Sequence, residues 1–186
     1  ECCGFNSAII KKKELPFLRR KIGIIFQDFK LLKNRTVYEN LEFILKVTGT
    51  PSKQIKRKVF TALTEVGLSH KQKNLPDTLS GGEKQRICIA RALAAEPDLI
   101  ICDILMPELD GYGVMQIAMR SKDLMRIPII FLSAKTKHED IRKGMDMGAS
   151  DYITKPFPPA EVMARVNTHL TLRCLQRQLE DANTAL

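Results

Sequence analysis

No apolar run in the 186 residues approaches the ~20 needed to cross a bilayer, which excludes a hydrophobic membrane-spanning helix. The first twenty residues carry lysines but no apolar core followed by a small-residue cleavage site, so no signal peptide is expected. The five cysteines (Cys2, Cys3, Cys88, Cys102, Cys174) lack metal-ligand spacing, and two fall inside apolar segments. Reduced, incidental thiols and a cytoplasmic location are the expectation. The basic residues are not interleaved with aromatics and no nucleic-acid recognition motif occurs. The formal charge of +9 therefore reads as a solvated basic face, with a membrane-associated partner as second choice and no nucleic acid.

What is present is ordinary in bulk and uneven in detail. A composition of 44% hydrophobic and 27% charged residues suits one well-buried domain or two small ones. Residues 1–102 hold 19 Lys and Arg against 10 Asp and Glu, whereas residues 103–186 hold 11 of each. That step predicts a boundary near residue 102. Three regions are expected: 1–102, 103–158, and 159–186 with a last helix and a linker.

In the first region, Ile22-Gly23-Ile24-Ile25-Phe26 is a short β-branched run that predicts a buried strand, ending in Gln27-Asp28. Thr36 and Glu39 have capping-box spacing ahead of the stripe Val37, Leu41, Ile44, Leu45. A second helix from Ser52 turns Ile55, Val59, Ala62, Leu63 and Val66 inward, and Gly49 and Gly67 close the two. Ser80-Gly81-Gly82-Glu83 is again a capping box, with glycines that let backbone N–H groups approach an anion at a helix N-terminus. Asp98 to Asp103 is an apolar strand ending in a carboxylate.

ELPFLRRKIGIIFQDFKLLKNRTVYEN and LSGGEKQRICIARAL closely resemble the FtsE-type cell-division ABC ATPases. The resemblance implies that Gln27 is the Q-loop glutamine, which reaches the nucleotide's Mg²⁺ and senses a membrane partner. It implies that Ser80, Gly81, Gly82 and Glu83 bind the γ-phosphate of ATP held by an opposite subunit. No G-x-x-x-x-G-K-[S/T] cradle occurs in the 186 residues, and Ile104 stands where the family has its catalytic Glu. Self-contained ATP hydrolysis is not expected, so ATP would be met only in trans.

From Asp103 onward the resemblance changes. Asp103-Ile104-Leu105-Met106-Pro107 with Asp110-Gly111, a strand Pro128–Ser133, and Asp151-Tyr152-Ile153-Thr154-Lys155-Pro156 resemble a bacterial response-regulator receiver domain, in order. The same pattern predicts helices at Val114–Met125 and Glu139–Met147. By that resemblance Asp103 is the phosphoacceptor, Lys155 neutralises the new charge and Ser133 bonds a phosphoryl oxygen. Tyr152 would be the aromatic that swings inward. A histidine kinase or a small phosphodonor would supply the group. After Pro158-Pro159 a helix continues through Leu172, Leu175, Leu179 and Ala182 at three-four spacing, resembling a receiver's linker helix and able to dimerise through residues 159–183.

Each family ends a buried parallel strand at its Asp, and this chain uses Asp103 for both. One α/β fold is therefore expected: a parallel sheet ordered 22–26, 99–103, 129–133, 151–154, flanked by helices, with an ABC-type helical insertion. In it Asp28 and Asp103, with Gln27 and the carbonyl of Leu105, would form a Mg²⁺ site of hard oxygen ligands. One sheet face would lack its usual first helix and need cover from residues 1–21, the insertion or another chain. The leading expectation is phosphoacceptance at Asp103 in phosphorelay signalling. The alternatives are an FtsE-like subunit acting in trans, and a recombined or designed chain without native function.

Overall fold

The computed structural model describes residues 15–25, 29–120, 124–134 and 138–184. Strands β1 (Ile22–Ile25), β2 (Leu99–Asp103), β3 (Ile129–Ser133) and β4 (Asp151–Thr154) form one sheet in that order. Every neighbouring pair is parallel. The order and direction are those expected from the sequence; Phe26, the predicted end of the first strand, lies outside the described residues. Two strands thus precede the shared Asp103 or end at it, and two follow.

All five residues of β2 and of β3 are buried, because helices cover both faces. Alternation sorts their side chains. Ile100, Cys102, Ile129, Phe131 and Tyr152 enter one core, and Leu99, Ile101, Ile130, Leu132 and Ile153 the other. The first core is closed by α4 (Gly81–Ala94) and α5 (Gly111–Met119), with the partly buried Ile141 and Met147 from around α6 (His138–Asp146). It continues into the pair α2 (Val37–Val47) and α3 (Ser52–Glu65), where Val37, Leu41, Leu45, Ile55, Val59, Ala62 and Leu63 of the predicted stripes are buried and Ile44 is partly buried. The Thr36 capping box forms: the Glu39 N–H donates to Thr36 Oγ1 at 3.2 Å and the Thr36 N–H to Glu39 Oε2 at 2.7 Å.

The second core answers the question of the uncovered face. α7 (Pro159–Thr184) lays Val166 and Leu170 on it, and Leu18 from α1 (Leu15–Lys21) fills beside them. Cover thins toward β1, where Ile24 stays 40% exposed. Beyond Cys174 the side chains of α7 are exposed, Leu175 and Leu179 among them, while Arg177 and Glu180 still pair with Asp98 and Arg126.

Two helix boundaries differ from expectation. The helix predicted over Val114–Met125 begins at Gly111, because Asp110 Oδ1 accepts the Gly113 N–H at 2.9 Å and caps it three residues early. It stops at Met119, and Leu124–Arg126 is a separate 3₁₀ turn. The helix predicted at Glu139–Met147 is shifted by one residue, to His138–Asp146.

Asp151 ties α7 to the sheet. Its carboxylate meets Arg165 at 2.7 Å and His169 at 3.2 Å, and accepts the Tyr152 N–H at 2.7 Å. Burial disfavours the charge, but these partners outweigh it and hold the carboxyl below the usual range. A carboxyl depressed in the folded state stabilises fully above its unfolded value, about 3.9, and loses that contribution as pH falls through the folded value. The advantage of wild type over Asp151→Asn in urea unfolding is expected to be present at pH 6 and to shrink below about pH 4. A difference independent of pH would contradict this.

Candidate functional site

Asp103 ends β2 and Ser133 ends β3, so parallel pairing delivers both to the carboxyl edge of the sheet. Lys155 follows β4 directly, and its N–H donates to the Ser133 carbonyl at 2.7 Å, fixing where the side chain starts. From there Lys155 Nζ reaches Asp103 Oδ2 in a direct ion pair. The other carboxylate oxygen accepts the Leu105 N–H at 3.2 Å. The Asp103 side chain is 8% exposed and that of Lys155 39%, so the pair is buried on the acid's side and open on the base's. Ser133 is fully buried at the neighbouring strand end. The three predicted catalytic residues thus meet at one corner.

Tyr152 stands opposite Phe131 in the β3–β4 register, with its side chain buried in the first core. The ring is already inside. Gly144 of α6 faces both aromatics: a Cβ there would lie 3.3 Å from the Phe131 ring and 3.7 Å from that of Tyr152.

The Ser80–Glu83 motif opens α4 as predicted. Ser80 Oγ accepts the Glu83 N–H at 3.3 Å, and the Ser80 N–H donates to Glu83 Oε2 at 2.9 Å. The Ser80 backbone and hydroxyl bonds, with Lys71 at 3.3 Å, hold the Glu83 carboxyl below the usual range. Over this turn lies a carboxylate from the receiver-like loop. Atoms Oε1 and Oε2 of Glu108 sit 3.3 and 3.5 Å from where Cβ atoms would stand on Gly81 and Gly82. The glycines leave the room that Glu108 uses.

Sequence reasoning missed the residue that joins the two halves. Gln85, 1% exposed on α4, accepts the N–H groups of Leu109 at 2.7 Å and Glu108 at 3.2 Å, and donates to the Leu109 carbonyl. One amide side chain thereby holds the loop that follows Asp103. In the sequence Gln85 is visible only as part of the LSGGEKQR run; no local signal tells which backbone it meets.

Gln27 and Asp28 lie outside the described residues. No three His, Cys, Asp or Glu side chains gather into a metal-binding group among the described residues. Both oxygens of Asp103 already accept from donors, so the described groups do not by themselves make a Mg²⁺ site. Ile104, at the position of a catalytic Glu, is buried in the first core and offers no base. Burial raises the Cys88 thiol to about 11 and Cys102 further, which leaves both unreactive at neutral pH. No helix among the described residues is long and apolar enough to cross a membrane.

Two family models match. The ABC transporter model covers residues 4–104 and the response regulator receiver domain model residues 72–167. The cell division ATP-binding protein FtsE of Streptococcus pneumoniae is 50% identical over 107 residues, 58% of this chain and 46% of that protein. The methionine import ATP-binding protein MetN of Photobacterium profundum is 35% identical over 182 residues, 95% of this chain and 53% of that protein. The chain thus spans about half the length of the curated relatives it matches. Among solved structures, the dimeric bacterial ABC transporter cassette MJ0796 aligns with a TM-score of 0.61 at 26% identity, over 78% of this chain and 64% of that one. The overlap of the two models, residues 72–104, contains α4 and β2, the crossover that serves both folds. The chain is a chimera that belongs to the ABC transporter family through residues 4–104 and to the response regulator receiver domains through residues 72–167.

Proposed function

We propose that the chain accepts a phosphoryl group on Asp103, with an incomplete ABC ATPase half as its scaffold. The observation that carries this reading is the ion pair of Asp103 with Lys155 at the sheet's carboxyl edge, beside Ser133. A carboxylate oxygen of Asp103 attacks phosphorus, the bond from phosphorus to the donor's leaving atom breaks (the imidazole nitrogen of a phosphohistidine or the carboxylate oxygen of an acyl phosphate), and that atom departs with the electron pair. Lys155 faces the charge that arrives, and Ser133 supplies a hydroxyl to a phosphoryl oxygen. In this reading residues 1–102 are support, 103–158 hold the chemistry, and 159–186 form the linker. The phosphodonor is a histidine kinase or a small acyl phosphate. Asp28 and the Leu105 carbonyl, with Asp103, are the groups proposed to take Mg²⁺.

Intact mass after incubation with acetyl phosphate, with and without Mg²⁺, tests the reading. One added phosphoryl group per chain is expected. A folded chain that gains none would leave the receiver half as scaffold only.

A second reading is favoured by the α4 turn: the glycines and capping box of Ser80–Glu83 meet ATP on a complete ABC subunit, as an FtsE-like chain acting in trans. Glu108 covers that turn, so its carboxylate would repel the phosphate. Glu108→Ala is expected to strengthen ATP-dependent association with a complete FtsE-type ATPase by about tenfold, the equivalent of ~1.4 kcal/mol. Sedimentation of the mixture with and without ATP reads this, and no ATP dependence in either protein would end the second reading. Self-association through Leu172, Leu175 and Leu179 is a further part of the proposal. Substituting all three with Gln would abolish a concentration-dependent dimer.

A further inference from the structure

At the end of the sheet opposite Asp103, a cavity of about 470 Å³ opens between α5, the 124–126 turn and α7. It borders the amino ends of β3 and β4, away from every residue of the phosphoacceptor corner. One side is apolar and rich in thioethers, with Met115, Met119 and Leu124. The other carries Arg126, His169 and Arg173, with the carboxylate of Glu180 beside them and paired with Arg126.

Arg173 is the anomaly. It is 7% exposed, and its buried Nε has no hydrogen-bond partner among the described residues. The carboxylates whose charge reaches it, Glu180 and Asp98, are engaged elsewhere: Glu180 with Arg126 at 3.3 Å, and Asp98 with Arg177 and Lys21. His169 is held by Asp151. A cation shut from water without a matched partner is costly, and a structure that keeps one has a use for it.

We propose that this cavity binds a small amphiphilic anion, a carboxylate or phosphate monoester with an apolar tail, its head on Arg173 and its tail among Met115, Met119 and Leu124. Guanidinium geometry suits a two-oxygen anionic head. Methionine side chains adapt to the shape of an apolar guest. The volume lies in the ordinary range of small-molecule sites, roughly 300–1,000 Å³.

Thermal melts and amide chemical shifts of the whole chain, titrated separately with octanoate, octyl phosphate, octylamine and inorganic phosphate, test the proposal. Octanoate or octyl phosphate is expected to raise the midpoint and to shift residues 124–129 and 169–176. The better of the two identifies the head group. Octylamine is expected to do neither, and inorganic phosphate to bind at least about tenfold more weakly for want of a tail. Arg173→Met is expected to abolish the anion response while melting no lower than wild type, since it removes an unmatched buried charge. Arg126→Met, at an exposed position, is expected to weaken the response several-fold. Equal responses to octylamine, no response to either amphiphilic anion, or an anion response unchanged in both variants would overturn the proposal. So would an Arg173→Met chain that melts lower while wild type ignores the anions, because Arg173 would then serve the fold alone.

Discussion

Asp103→Asn is expected to remove all phosphoryl transfer from acetyl phosphate to the chain, whereas Asp110→Asn should leave the added mass unchanged. The two acids stand at opposite ends of one loop, but only Asp103 lies at the strand end against Lys155. Asp110 is exposed and spends Oδ1 on capping α5. An amide at position 103 keeps the shape and the bond from Leu105 but has no anionic oxygen to attack with. Lys155→Met tests the second half of the chemistry. Transfer should slow by about 10², the order lost when one preorganised charge-stabilising group is removed. The same change leaves a nearly buried carboxylate with the Leu105 N–H as a remaining donor, and stability should fall by about 1–3 kcal/mol. A mass increase that persists in Asp103→Asn would place the acceptor elsewhere and remove the basis of the proposed function.

The strands were legible from their apolar runs, and their order from what the two family resemblances imply once Asp103 is shared. LIIC and IIFL are short apolar runs that only a strand covered on both faces uses, and helix-length segments separate them, which requires parallel crossovers. With the strands parallel, their carboxyl ends must share one edge, and that alone gathers Asp103, Ser133 and Lys155. The cover of the second face was legible only in part: residues 1–21 are one of three alternatives, and the last helix is expected there. Leu18 lies in a seven-residue helix whose sequence, LPFLRRK, is too short for periodicity to reveal its buried side. The early start of α5 was hidden for a similar reason, since the Asp110 cap looks the same in sequence as a turn residue. Arg173 sits within a helix read as an amphipathic linker, and its burial comes from packing against elements distant in the chain.

Gln85→Leu is expected to be strongly destabilising, because it breaks the contact on which the chimera turns. Three backbone groups of the 108–109 segment depend on this one amide: two N–H donors and one carbonyl. Leucine nearly conserves the volume but satisfies none of them. Each group left unsatisfied costs about 1–3 kcal/mol where water cannot reach it, and Leu109 is partly buried, so a total loss of about 2–4 kcal/mol follows. Gln85→Glu separates shape from chemistry: it keeps an acceptor for both N–H groups but buries an anion against the Leu109 carbonyl, and should cost at least as much as leucine at neutral pH. Hydrogen exchange locates the effect. Protection should fall at residues 104–110 and at the start of α5, where the Gly111 N–H donates to the Ile104 carbonyl at 3.0 Å, while α2 and α3 stay protected. The loop that opens also carries the Leu105 N–H bonded to Asp103 and the Glu108 carboxylate that covers Gly81 and Gly82. One substitution should therefore slow phosphoryl transfer at Asp103 and uncover the α4 turn together. A variant that loses stability evenly along the chain, with both sites otherwise unchanged, would show that Gln85 fastens the fold without coupling its halves.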